Sequence, residues 1–117
     1  VLGGDQTRPN IHIDDLVDLY LLAIRTAPAG SFYYAENGEN SMRELGVAIS
    51  RMLGKDGATR PMTLEEAAAE WGEGAAQDTM GSNSRVRAAR ARKELGWAPH
   101  ARSLLSEIAD DCYSGAA

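Results

Sequence analysis

GGDQTRPNIHIDDLVDLYLLAI, residues 3–24, contains the passage from loop to strand to helix on which the fold class turns. Gly3 and Gly4 open a polar loop through Gln6, Thr7 and Arg8, and Asn10–Ile13 then reads as a short strand. Asp14 and Asp15 follow at once and mark a helix start. A carboxylate there accepts hydrogen bonds from free backbone amides at the positive end of the helix dipole. Over Asp15 to Ala27, the residues Leu16, Leu19, Tyr20, Ala23, Ile24 and Ala27 recur at three- and four-residue steps. Val17 and Leu21 widen that face enough to pack on a sheet as well as on a neighbouring helix. Pro28 and Gly30 stop the helix.

Downstream, Ser31–Ala35 is an aromatic run that reads as a strand, closed by the turn residues of ENGEN. Ser41 and Glu44 form a capping box, and the helix they open carries Met42, Leu45, Ala48, Ile49, Met52 and Leu53 before Gly54 ends it. A short extended piece follows at Ala58–Arg60. Thr63 with Glu66 is a second capping box and starts a helix through Trp71. Gly72 to Asn83 reads as a loop with one helical turn. Ser84 caps a basic helix over Arg85–Leu95, ended by Gly96 with Pro99 close behind. Ser103 caps a last helix with Leu104, Leu105, Ile108 and Cys112 on its apolar side, and Ser114–Ala117 frays. Helices and short strands alternate early, so the expected class is α/β rather than a bundle: a single domain over residues 1–117, helix-rich with two or three short strands.

Composition limits the function. The chain has 117 residues, 44% hydrophobic and 25% charged, which fits one small domain and excludes a complete two-domain enzyme. Its net charge of -5, from 12 basic and 17 acidic residues, argues against a general binder of nucleic acid or anionic membranes. A lone cysteine, Cys112, leaves no internal disulfide and fits a reducing cytoplasm. No apolar run approaches the roughly 18 residues of a membrane span, and no signal peptide opens the chain.

The residues that carry chemistry are few. His12 and His100 are the only histidines. Asp14 lies two residues after His12, on the same side of the pleat if the strand continues, but helix capping is the simpler role for it. No spacing of histidine, cysteine and carboxylate matches a metal site. Gly3-Gly4 and Gly72-Glu73-Gly74 lack the three-glycine spacing of a dinucleotide loop. SRVRAARARK concentrates Arg85, Arg87, Arg90, Arg92 and Lys93, so residues before Gly81 carry 6 basic and 13 acidic groups and the rest carry 6 and 4. Without interleaved aromatic or asparagine residues to read bases, this run is expected to be a solvated face whose arginines pair with the acidic N-terminal part. Arg8, in a glycine-rich polar loop before a strand, suits a diphosphate or carboxylate held by its two-pronged guanidinium.

Taken together, residues 3–24 resemble the middle of the extended short-chain dehydrogenase/reductase family, the NAD-dependent epimerases and dehydratases. The matching positions are Gly3, Gly4, Gln6, Arg8, Ile11, His12, Ile13, Asp14, Asp15 and Leu16. Gly30-Ser31-Phe32-Tyr33-Tyr34 is similar to the family's next strand, and Ser41-Met42-Arg43-Glu44-Leu45 to its next helix start. Ser82–Arg90 and Lys93-Glu94-Leu95-Gly96-Trp97-Ala98-Pro99 resemble its C-terminal segment. The resemblance implies the C-terminal portion of a Rossmann-like NAD(P)-binding epimerase fold. The family's glycine-rich cofactor motif and its Tyr-x-x-x-Lys pair have no counterpart here, because Tyr20, Tyr33, Tyr34 and Tyr113 all lack a lysine four residues later. It therefore implies no catalytic residue in this chain, and NAD or NADP only on an N-terminal half.

On the same resemblance Arg8 and Gln6 are the substrate-binding residues and Asp14 and Asp15 are structural caps, as Ser41 and Thr63 are by their own capping boxes. The expected substrate is a small molecule of the sugar or nucleotide-sugar kind. The second arginine of the sugar-nucleotide epimerases has no match around Arg60–Ala76, where Thr63–Trp71 stands instead, so a nucleotide-diphosphate sugar is not singled out. The expected partners are the missing N-terminal half or a second copy, with no nucleic acid and no membrane. The alternative expectation is a stand-alone binding or assembly module derived from that family, and a small nucleic-acid binder using Arg85–Lys93 ranks last.

Overall fold

Short elements and long connections dominate the computed structural model, which describes residues 3–110 and Tyr113. In chain order they are β1 (Thr7–Pro9), α1 (Ile13–Thr26), β2 (Glu39–Ser41), α2 (Met42–Met52), α3 (Leu64–Trp71), a π-helical segment (Ala75–Met80), α4 (Ala89–Leu95) and α5 (Leu104–Ala109). β1 and β2 pair antiparallel, with Thr7 opposite Ser41, Arg8 opposite Asn40 and Pro9 opposite Glu39. The class is mixed α/β and helix-rich, with one two-stranded antiparallel sheet.

The strand expected at Asn10–Ile13 lies earlier, at Thr7–Pro9. Its register is set by a partner distant in sequence. Beyond Pro9 the Asn10 amide bonds to the Gly38 carbonyl at 3.0 Å and its side chain to Asn40 at 2.8 Å, after which the chain turns into α1. The N-cap of α1 is His12, whose Nδ1 accepts the Asp14 N–H at 3.1 Å. Asp14 and Asp15, expected as caps, instead occupy the first turn, where their charge still meets the helix dipole.

Ser31–Ala35 is not a strand. It alternates as one, with Tyr33 and Ala35 on the core while Phe32 and Tyr34 face solvent, but among the described residues no strand pairs with it. Ala58–Arg60 is likewise irregular. The basic helix expected over Arg85–Leu95 is formed only from Ala89. Ser84 does not cap it, because residues 84–88 are drawn out by long-range bonds. The Ser84 N–H donates to the Thr7 carbonyl at 3.1 Å and the Ala88 N–H to Glu36 at 3.0 Å.

Local signals dominate elsewhere. Ser41 and Thr63 each complete a capping box, with Glu44 and Glu66 returning the bond. A cap of this kind is worth about 1 kcal/mol. Gly96 ends α4 in the left-handed conformation, at φ 67°, and Ser103 caps α5. Cys112 and residues 114–117 lie outside the described residues.

Leu19, Ala88, Ala91 and Trp97 form the main core cluster, with Ile11, Leu22, Tyr33, Ala35 and Leu95 packed against it. It is thin. Among the described residues the buried apolar side chains are these four with Ala67, Ala76 and Ile108, so four of the seven are alanines. The radius of gyration is 16.7 Å, against about 13 Å for a compact chain of 100 residues. Much larger apolar side chains stay in water, including Ile13, Tyr20, Ile24 and Phe32, each at least 64% exposed.

Candidate functional site

Gln6 and Arg8 stand on either side of Thr7 where the N-terminal loop enters β1. Gln6 is buried, and its side-chain amide donates to the Met80 carbonyl at 2.8 Å, tying β1 to the end of the π-helical segment. Arg8 is half-buried and reaches Ser82 Oγ at 3.3 Å. The Thr7 N–H donates to the Asn83 side chain at 2.8 Å. Thr7 Oγ1 is out of solvent with no hydrogen-bond partner among the described residues. The structure thus brings both candidate substrate-binding residues onto the loop at residues 80–84.

That loop leads into the arginine run, and the run meets two glutamates. Glu39 receives Arg85 at 2.5 Å and Arg87 at 3.1 Å. Hydrogen bonds from those two guanidiniums pull its carboxyl down to about 2. Glu36 is buried and accepts the Gly38 N–H, the Ala88 N–H and Arg92. Burial pushes its carboxyl up, but these donors outweigh that and hold it below the ordinary 4.5. Arg90 pairs with Glu94 one turn along α4, donates to the Phe32 carbonyl and lies over the Tyr33 ring. Arg92 also lies over Trp97. Four of the five cations of the run are therefore paired with carboxylates, two of them with Glu39 and one with Glu36 from the acidic part of the chain. Sequence reading placed Glu36 and Glu39 in a turn. The usable signal was the run itself, since cations packed this densely need anions.

Neither histidine sits in a catalytic arrangement. The Nδ1 of His12 holds its own helix start, and His100 is 76% exposed with its backbone N–H on Asp15. Asp15, only 1% exposed, accepts the His100 and Ala101 amides, while its carbonyl accepts the Trp97 indole N–H at 3.0 Å. Asp15, Asp18 and His100 place potential metal-ligand atoms within 4.8 Å of one another, but the Asp15 carboxylate is already engaged by these amides.

An open cleft of about 610 Å³ lies between the start of the chain, α2 and the segment at residues 59–62. Close backbone approach shapes it. A Cβ on Gly4, at φ +77°, would meet Arg43 Cβ at 3.0 Å, and one on Gly46 would meet Thr59 at 3.4 Å. Met42, Met62, Met80 and Trp71 line the cleft with Arg43 and Arg60. Neither Gln6 nor Arg8 is among its lining residues. Sequence reading missed this site, because its methionines fall in α2, in the connection before α3 and in the π-helical segment, with no common period.

No known family profile, curated protein or solved structure matches the chain.

Proposed function

We propose that this chain is the substrate-binding C-terminal portion of an NAD(P)-dependent epimerase, dehydratase or reductase, acting in the cytoplasm and not catalytically complete alone. The cofactor, NAD or NADP, and the proton-transferring Tyr–Lys pair belong to an N-terminal half. One observation carries the reading. α1 leaves Ile13, Val17, Tyr20, Leu21 and Ile24 exposed on one stripe, and the strand-like residues 31–35 have no pairing partner among the described residues. An apolar face of this kind, in a chain that also holds an unpaired extended segment, is what is expected when another layer of the same fold belongs against it. The ordered motifs from Gly3 to Pro99 support the same assignment. Arg8, half-buried on β1 and bonded to the Ser82 hydroxyl, offers a guanidinium fork of the kind that suits an oxyanion.

The same face supports a second reading, a stand-alone module that covers it with another copy or a partner chain. Cofactor binding separates the two. The full-length polypeptide from its own source, titrated with NADH and NADPH and followed by nicotinamide fluorescence, is expected to saturate with one of them. A full-length polypeptide that binds neither would overturn the proposal. Among the described residues no helix is long and apolar enough to cross a membrane.

A further inference from the structure

We infer that the cleft between α2, α3 and the π-helical segment binds a flat aromatic ring that carries an oxyanion; as an assignment of substrate class, this rests on the function proposed above. Three methionines, Met42, Met62 and Met80, and the half-exposed indole of Trp71 supply the apolar part of the lining. Thioethers are polarisable and adapt their shape, and they favour contact with ring edges. An indole gives a ring face to stack on. The volume of about 610 Å³ is within the range of small-molecule sites.

The charged groups specify the other half of the ligand. Arg43 and Arg60 are the cations of the lining. Arg43 bonds to the Gly3 carbonyl and to Asp5 at 2.9 Å, and Arg60 reaches Glu66 at 3.4 Å. All four charged side chains are close to half exposed or more, Asp5 reaching 86%. Ion pairs this wet contribute little, about 0–1 kcal/mol, so an incoming carboxylate or phosphate can replace Asp5 or Glu66 with small loss. A neutral aromatic ring would leave both guanidiniums on the carboxylates they already hold. A bare anion would leave the indole and thioethers in water. Only the combination satisfies both.

The position of the cleft also favours a ligand. Met80 is the last residue of a π-helical segment, a local geometry that recurs at functional sites. Its carbonyl is held by Gln6, which ties the end of this segment to the loop entering β1.

The two tryptophans provide the test. Trp71 lines the cleft and Trp97 lies in the core, 3% exposed with its N–H on Asp15, so their indole N–H signals report binding and folding separately in one nitrogen-15 spectrum. Trp71→Phe assigns the two signals. The full-length polypeptide, free of cofactor, is titrated with 2-naphthoate, 1-naphthyl phosphate, 2-naphthalenemethanol and inorganic phosphate. The expected result is a saturable shift of the Trp71 signal with the two aromatic anions while Trp97 stays in place. The neutral alcohol and inorganic phosphate should bind about tenfold more weakly or worse, and Arg60→Gln should weaken the aromatic anions by a similar factor. Which anion binds tighter tells a carboxylate ligand from a phosphate. No saturable shift at Trp71, equal affinity for the neutral alcohol, or no change in Arg60→Gln would each overturn the inference. None of these titrations involves the cofactor. Their failure leaves the NADH and NADPH test of the full-length polypeptide intact, and failure of that test leaves these titrations interpretable.

Discussion

Around Trp97 the polar groups that leave solvent are matched inside the chain, whereas around Trp71 the charged groups remain in water and pair across an open rim. In the first region the indole N–H, the Asp15 carboxylate and Glu36 each bond partners far away in sequence. In the second, Arg43 and Arg60 hold exposed carboxylates that any anion could replace. Buried and satisfied polar groups fix a structure, because removing either partner leaves the other stranded. Exposed pairs contribute little to folding and stay available for binding. The contrast separates the part of this chain that holds it together from the part that meets a ligand.

Substitutions can break that division, and the largest effect should come from Trp97→Ala. It removes the largest side chain of a four-residue core cluster and should lower stability by about 3–5 kcal/mol in urea unfolding. Asp15→Ala comes next. It strands the His100 and Ala101 amides, a loss of about 2–4 kcal/mol by the same measurement. A third effect follows pH. The folded carboxyls of Glu36 and Glu39 both lie below 4.5, Glu39 at about 2, so their contribution is complete above the unfolded value and is lost as pH falls from 4.5 towards 2. An acid unfolding series should show that loss, and Glu36→Gln should flatten part of it.

The other side of the comparison predicts small numbers. Arg60→Gln and Trp71→Phe should change stability by no more than about 0.5 kcal/mol, since Arg60 stands largely in solvent and Phe keeps a ring at the half-exposed Trp71 position. Ile24→Lys, at a residue 79% exposed on α1, should also leave the folding of this chain within about 0.5 kcal/mol. It should nevertheless weaken docking of the cofactor-binding half, measured as NADH or NADPH affinity in the full-length polypeptide. A large stability loss from Ile24→Lys in the isolated chain would mean that the α1 stripe is already covered within it.

What could be read from the sequence was what the chain decides locally. The capping boxes at Ser41 and Thr63 and the helix stop at Gly96 need only residues three or four positions apart, and they stand where sequence places them. Of the features decided across long separations, the pairing of the arginine run with acidic residues earlier in the chain showed, and the rest did not. β1 lies at Thr7–Pro9 because Glu39–Ser41 pairs with it there. Residues 84–88 stay extended because Thr7 and Glu36 hold their amides and Glu39 holds their arginines. The 31–35 run has the alternation of a strand, but among the described residues no strand pairs with it. Gln6 and Arg8 were legible as a polar pair in a glycine-rich loop, and both lie against residues 80–84. The cleft was not legible, since Met42, Met62, Met80 and Trp71 meet only after folding.

The central claim, that this chain works as the substrate-binding part of a larger cofactor-dependent enzyme, is tested most directly by the covalent mass of the polypeptide in its own source, read by native mass spectrometry. The account predicts a species of roughly two to three times 12.5 kDa. A covalent mass of 12.5 kDa, alone or as a dimer, would contradict it and favour the stand-alone module.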